Sequence, residues 1–90
     1  MTRHIHSKEY YERFQKAYGA VVKELRKRRK WSRERLARQA DISYTTLYKI
    51  EQGKANPMLT TMDNIAKALR TTVSRMFGLT ERRLNEETEK

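Results

Sequence analysis

The chain has 90 residues, of which 21 are lysine or arginine and 11 are aspartate or glutamate, and it contains no cysteine. Its length is enough for one domain with a modest core and too short for two independent cores. A disulfide framework and a thiolate metal site are excluded because cysteine is absent. The formal net charge of +10 favours a polyanionic partner.

The first predicted element is a long amphipathic helix over about residues 7 to 29. Gly19 lies inside this segment and could divide it into an accessory helix and the first helix proper, because glycine costs about 1 kcal/mol relative to alanine in a helix interior. We expect the N-terminal part to pack on the domain, since its aromatic side chains would otherwise form an exposed patch. The apolar stripe recurs at three- and four-residue steps and consists of Tyr10, Phe14, Ala17 or Tyr18, Val21 or Val22, and Leu25.

Two short helices joined by a tight turn are predicted next. Ser32 is a favourable N-cap for the second helix. Asp41 tolerates a left-handed conformation better than most residues other than glycine, and it is followed by Ser43, which can cap a third helix. That helix is predicted over residues 44 to about 52 and ends at Gly53, because glycine suits a left-handed C-terminal turn.

A loop at residues 54 to 57 leads to a fourth helix and then to a short fifth helix that we expect to end at Gly78. Residues 80 to 90 carry one strongly apolar side chain, Leu84, so we expect a frayed helix or disorder there. The sequence therefore predicts an all-α fold of five helices without a sheet. The fourth helix has its apolar stripe at Leu59, Met62, Ile65, Ala66 and Leu69, and the fifth passes through Ser74, Met76 and Phe77.

The positive charge is concentrated in one segment. Residues 23 to 38 hold nine basic side chains against Glu24 and Glu34, which is +7 of the total +10. Such a run could be a solvated helix surface or a binding surface, and its position in the fold decides between the two.

Residues 32 to 53 resemble the helix-turn-helix of the Cro and phage-repressor family, and the likeness extends over residues 18 to 79. The resemblance implies a five-helix, lambda-repressor-like domain at 18–79, with a helical N-terminal extension at 1–17 and a C-terminal tail at 80–90. Residues that carry it at the family's spacing are Tyr18-Gly19, Val22, Leu25 and Arg26, then Leu36-Ala37, Ile42-Ser43 and Ile50-Glu51-Gln52-Gly53, and finally Asn56-Pro57 with Ile65-Ala66-Lys67-Ala68-Leu69.

The resemblance implies binding to double-stranded DNA, with the third helix in the major groove, which is roughly 12 Å wide. Both tyrosines of this helix could instead lie flat on the protein surface, and Thr46 could simply pack. Base contacts are assigned to Tyr44, Thr45, Tyr48 and Lys49. Phosphate contacts are assigned to Arg33, Ser43, Thr46, Gln52, Lys54 and Asn56.

Arg26 and Glu51 match positions that form an ion pair beneath the DNA-facing surface in the family, although they could also be two exposed charges. Arg33 replaces the family's usual glutamine at the start of the second helix. This keeps a phosphate contact plausible and puts an amide-to-amide link to the third helix in question. Lys30 and Asp41 occupy positions where glycine is common, so both turns could be strained or differently shaped.

We expect a homodimer, because one recognition helix reads only a few base pairs and two-fold pairing doubles the contacts on a palindromic site. The predicted function is a sequence-specific transcription regulator acting on such an operator. The alternative is an antitoxin-type helix-turn-helix protein that binds a partner toxin and regulates its own promoter. Candidate interface residues, which could also be core residues, are Val73, Met76, Phe77 and Leu79 in the fifth helix, and Tyr10, Tyr11 and Phe14 in the first.

Enzymatic activity has no support in the sequence. No Ser-His-acid set, phosphate-binding loop or paired acids can be assembled. The only histidines, His4 and His6, could bind a metal but fit a solvated terminus better, so we expect neither a metal nor another cofactor. The chain has no apolar run of the roughly 18 residues that a bilayer requires, and its start lacks a signal peptide, so we expect a cytoplasmic protein without a membrane partner.

Overall fold

The computed structural model describes residues 7–89, which form five α-helices and no strand. This confirms the predicted all-α class. His4 and His6 lie outside the described residues. The helices are α1 (Lys8–Arg28), α2 (Arg33–Ala40), α3 (Tyr44–Glu51), α4 (Leu59–Ala68) and α5 (Val73–Glu89).

Helix α1 is continuous, so the predicted division at Gly19 is wrong. The Ser7 side chain caps the helix by accepting a hydrogen bond from the Tyr10 amide at 2.9 Å. Gly19 is buried against the end of α3, where a Cβ atom would overlap the Ile50 carbonyl oxygen and lie 3.0 Å from that of Glu51. Glycine is therefore required here by the close crossing of α1 and α3.

The predicted caps of the two short helices are confirmed. Ser32 Oγ accepts from the Arg35 amide at 3.1 Å, and Ser43 Oγ accepts from the Thr46 amide at 3.0 Å. Asp41, between the two helices, has the left-handed φ of 57° that the sequence permitted. The turn thus has the left-handed conformation that glycine readily adopts.

The core lies where α1 to α5 meet. Met76 is 0% exposed, so its predicted place in a dimer interface is wrong and it is a core residue.

Phe77 is half-buried and packs edge-to-face on two rings of α1. Its ring centroid lies 5.5 Å from that of Phe14 and 6.1 Å from that of Tyr18. Burial raises the pKa of Tyr18, whose hydroxyl has no hydrogen-bond partner within residues 7–89. The largest fully buried side chains are Val22, Leu36, Leu47, Ile50, Ile65, Met76 and Thr80.

Helix α5 continues well beyond Gly78, so the predicted end there and the predicted frayed tail are wrong. Thr80 and Leu84 are buried, and the Thr80 hydroxyl donates to the Met76 carbonyl at 2.8 Å. These side chains stand at four-residue steps on the face of α5 that packs along α1. The predicted domain boundaries at 17/18 and 79/80 therefore fall inside helices. Among the described residues, no helix is both long and apolar enough to cross a membrane.

Alanine substitution at two helical glycines tests the crossing of α1 and α3. Gly19→Ala should lower the free energy of unfolding by roughly 1–3 kcal/mol, because the added methyl must displace the backbone of α3. Gly78→Ala is the matched control, since nothing lies within 4 Å of its added Cβ. It should raise the free energy of unfolding by up to about 1 kcal/mol, as alanine favours the helix. Urea unfolding followed by circular dichroism measures both, and effects of the same sign would contradict the crossing.

Candidate nucleic-acid interface

Helix α3 has one buried face and one exposed face. Leu47 and Ile50 are buried at 0 and 1% exposure, and they hold the helix on α1 and α2. The opposite face exposes the four side chains predicted to contact bases. Two of them are large: Tyr44 and Tyr48 are 41 and 43% exposed. The other two are Thr45 and Lys49. The structure thus brings all four predicted base-contacting residues to one solvent-facing surface.

The two tyrosines of α3 form a stack. The ring centroids of Tyr44 and Tyr48 are 6.3 Å apart and the ring planes differ by 14°. The guanidinium carbon of Arg33, from the start of α2, lies 5.2 Å from the Tyr48 ring centroid, which is within cation–π range. The exposed face of α3 therefore carries two parallel aromatic rings with a positive charge over one end.

A single buried carboxylate joins α1, α2 and the end of α3. Arg26 donates from Nε to Glu51 Oε2 at 2.7 Å and from Nη2 to Oε1 at 3.0 Å. Arg33 donates from Nε to the same Oε1 at 2.9 Å, and Arg26 Nη1 also donates to the Trp31 carbonyl at 2.8 Å. The Glu51 side chain is fully buried, so these are not two exposed charges. Two guanidinium groups compensate one carboxylate.

Arg33 remains charged in this environment. Burial disfavours its charge, but hydrogen bonds to Glu51 and Tyr44 outweigh that cost, so the pKa of Arg33 is raised above its ordinary value. A link between the start of α2 and α3 therefore exists, made by a guanidinium instead of an amide. The phosphate contact predicted for Arg33 stays a prediction.

The other predicted phosphate contacts flank α3. Ser43 and Thr46 lie in its first turn, where the Ser43 hydroxyl donates to Thr46 Oγ1 at 2.8 Å, and both residues are exposed. Gln52, Lys54 and Asn56 follow the helix and are also exposed. These residues are accessible at both ends of α3, as positioning contacts on a duplex require.

Trp31 is a feature that the sequence analysis missed. Two guanidinium groups lie over its half-buried ring, with Arg29 Cζ 5.3 Å and Arg35 Cζ 4.7 Å from the ring centroid. Arg29 also donates to the Leu69 carbonyl at 3.3 Å. A lone tryptophan inside a basic run was the available signal. Part of that run therefore stabilises the fold.

Exposed apolar residues at the start of α4 were also missed. Met58 is 72% exposed and Leu59 is 66% exposed, although Leu59 was predicted to lie on the buried stripe of the fourth helix. Periodicity identifies the apolar face of α4. It does not show which turns of that face other helices cover. Tyr11, at 48% exposure, is a further apolar surface residue.

The fold and the site define a helix-turn-helix domain, in which a short turn leads to an eight-residue helix that packs on the core with one face and exposes the other. Residues 22–76, more than half of the chain, match the model of the HTH_3 helix-turn-helix family. The chain belongs to this family of DNA-binding regulators, which confirms the resemblance predicted from the sequence.

One relative is an immunity repressor protein of Bacillus phage phi105, which is 38% identical over 60 residues, covering 67% of this chain and 42% of the repressor. The chain thus spans less than half of that protein's length. The solved structure of the clp gene regulator ClgR from Corynebacterium glutamicum has a TM-score of 0.80 at 17% identity, covering 84% of this chain and 81% of its own, and shows the fold alone. The solved structure of an HTH_3 family transcriptional regulator from Vibrio cholerae has a TM-score of 0.70 at 29% identity. The match covers 76% of this chain and 38% of that regulator.

Replacement of Glu51 tests whether the buried carboxylate holds the three helices together. Glu51→Ala should lower the free energy of unfolding by about 3–5 kcal/mol, because it leaves Arg26 buried without a counter-charge. Glu24→Ala is the control: its exposed pairs with Arg28 and Arg83, at 2.9 and 3.5 Å, should contribute less than about 1 kcal/mol. Denaturant unfolding compares the two variants. A similarly small loss for both would show that the buried network does not hold α3.

Proposed function

We propose that this chain is a sequence-specific transcription regulator that binds double-stranded DNA as a homodimer on a palindromic operator. The exposed face of α3 carries the proposal. It presents two stacked tyrosines, a threonine and a lysine on the side of the helix opposite the core, and residues 23 to 38 add a net charge of +7. A rod of this size fits the major groove, and the positive charge attracts phosphates. That relatives include a phage repressor and a transcriptional regulator supports this role.

The side chains of α3 suit different features of base pairs. Lys49 can donate to O6 and N7 of guanine, and Thr45 can donate or accept. The phenol rings of Tyr44 and Tyr48 can contact thymine methyl groups or form hydrogen bonds through their hydroxyls. We assign register on the duplex to phosphate contacts made by Ser43, Thr46, Gln52, Lys54 and Asn56, because such contacts position a protein without reading sequence.

Two surfaces remain available for the homodimer after Met76 is assigned to the core. The first is the outer side of α5, where Leu79 is 38% exposed, whereas Val73 is partly buried against the core. The second is an apolar groove of about 380 Å³, which Tyr10, Phe14 and Phe77 line together with Pro57 and Met62. Either surface would have to place two α3 helices about 34–36 Å apart on one side of the duplex.

An antitoxin-type role is the second candidate function. Exposed apolar side chains at Met58, Leu59 and Tyr11 lie outside α3, and a large exposed apolar surface is typical of protein-binding sites. Such a protein would also bind its own promoter, so DNA binding does not separate the two functions. Purification from native cells does: a stoichiometric partner protein favours the antitoxin, and a homodimer alone favours the plain regulator.

Substitutions on and beside α3 test base reading. Lys49→Ala and Tyr44→Ala should each cost roughly 1–3 kcal/mol of binding free energy on cognate DNA and much less on random DNA. Lys54→Ala should weaken binding to both DNAs alike and reduce the salt slope by about one unit. The cognate site comes from selection on random DNA with the wild-type protein, and titrations then give the affinities. If the α3 variants are folded and keep the wild-type cognate-to-random ratio, α3 does not read the bases.

The oligomeric state is a separate prediction. Sedimentation equilibrium should show a dimer at micromolar concentration, and two protomers on one operator duplex, because a single recognition helix contacts only a few base pairs. The selected operator should have two-fold symmetry. A protein that stays monomeric at high micromolar concentration, both free and on DNA, contradicts the homodimer.

A further inference from the structure

Arg33 contacts two residues of α3, Glu51 and Tyr48. Its Nε–H group, at the edge of the guanidinium plane, donates to Glu51 Oε1 at 2.9 Å. Its guanidinium carbon lies 5.2 Å from the Tyr48 ring centroid, and Tyr48 stacks in turn on Tyr44. A side chain at the first position of α2 thus links the buried end of α3 to the exposed rings of the same helix.

We propose that Arg33 is a positioning residue for base recognition: it holds the Tyr44–Tyr48 stack in the orientation in which α3 meets the bases, and it does not serve mainly as a phosphate contact. The inference rests on the proposed function, because it assigns a role within the same DNA-reading surface. It changes the role assigned to Arg33 from a phosphate contact, which attracts any DNA, to the positioning of side chains that discriminate between base pairs.

Preorganisation is the physical reason for this role. A tyrosine that is over 40% exposed on a helix surface would ordinarily exchange among rotamers, and fixing it on binding costs conformational entropy. A guanidinium that is itself held by a buried carboxylate restricts Tyr48, and the stacked ring of Tyr44 is restricted with it. The rings then meet DNA in one arrangement, so a mismatched base pair cannot be accommodated by their rearrangement.

The charge of Arg33 is also poorly placed for a phosphate. Its side chain is only 24% exposed, and it shares a fully buried carboxylate with Arg26. The three groups together carry a net charge of +1, the same as one lysine, but they are mostly buried, so this charge is less accessible to a phosphate than that of an exposed lysine. Lys54 is exposed and is therefore the appropriate comparison.

Arginine and lysine differ in the feature that the inference requires. Lysine keeps the positive charge, but it has no extended planar group that can donate to Glu51 from one atom while another part lies over the Tyr48 ring. Arg33→Lys therefore preserves a phosphate contact and should weaken the combined restraint on Tyr48. The fold should survive, since Arg26 still donates to both Glu51 oxygens. Thermal melting by circular dichroism checks this.

The experiment measures affinity for the selected operator and for random DNA over a range of salt concentrations. Arg33→Lys should lower the cognate-to-random ratio about tenfold, as expected for the loss of one base-reading contact, with an unchanged salt slope. Lys54→Ala should show the reverse: an unchanged ratio and a salt slope lower by about one unit. Tyr48→Leu should also lower the ratio, and adding it to Arg33→Lys should have little further effect, because coupled residues are not additive.

Two results overturn the inference alone. In one, Arg33→Lys retains the wild-type ratio while Arg33→Ala loses affinity on both DNAs and about one unit of salt slope, which identifies a phosphate contact. In the other, Arg33→Lys and Tyr48→Leu lower the ratio independently, which shows that Arg33 does not act through the tyrosine. A wild-type protein that selects no preferred sequence would overturn the proposed function itself, and the inference with it.

Discussion

The DNA-facing side of the domain depends on the buried carboxylate of Glu51. A carboxylate removed from water is unfavourable unless charged donors surround it. Its two donors come from different helices, Arg26 from α1 and Arg33 from α2, so the end of α3 can be buried only where both arginines meet. The interaction therefore determines where α3 ends relative to the other two helices, and with it the direction in which the exposed face of α3 points.

The close approach of α1 to α3 makes this arrangement possible. Gly19 lets the two backbones approach at the residues that precede and include Glu51, and a side chain there would separate them. On the other side of α1, the long α5 packs along the helix, with Met76, Thr80 and Leu84 facing inward. Helix α1 is thus the central support of the domain, and the segment predicted as an extension is part of it.

The basic residues of segment 23 to 38 fall into two groups, those with protein partners and those exposed at the surface. Some of its arginines have protein partners: Arg26 and Arg33 bind Glu51, and Arg29 contacts Trp31 and the Leu69 carbonyl. Those groups orient helices, and the Glu51 carboxylate cancels one of the two positive charges of Arg26 and Arg33. Exposed side chains such as Lys27 and Arg38 remain on the surface and give the domain its positive field.

The sequence by itself determined the features that depend on neighbouring residues. Helical periodicity, the Ser32 and Ser43 caps and the left-handed Asp41 are local, so they predicted five helices, the tight turn and the outward face of α3. The tertiary structure alone decided the rest, because burial depends on groups that are distant in the chain. Gly78 does not end α5, since packing on α1 outweighs its weak helix propensity, and the exposure of Leu59 and burial of Met76 reflect which helices lie over them. Likewise, the sequence placed a basic residue at position 33, but only the fold brought its guanidinium between Glu51 and Tyr48.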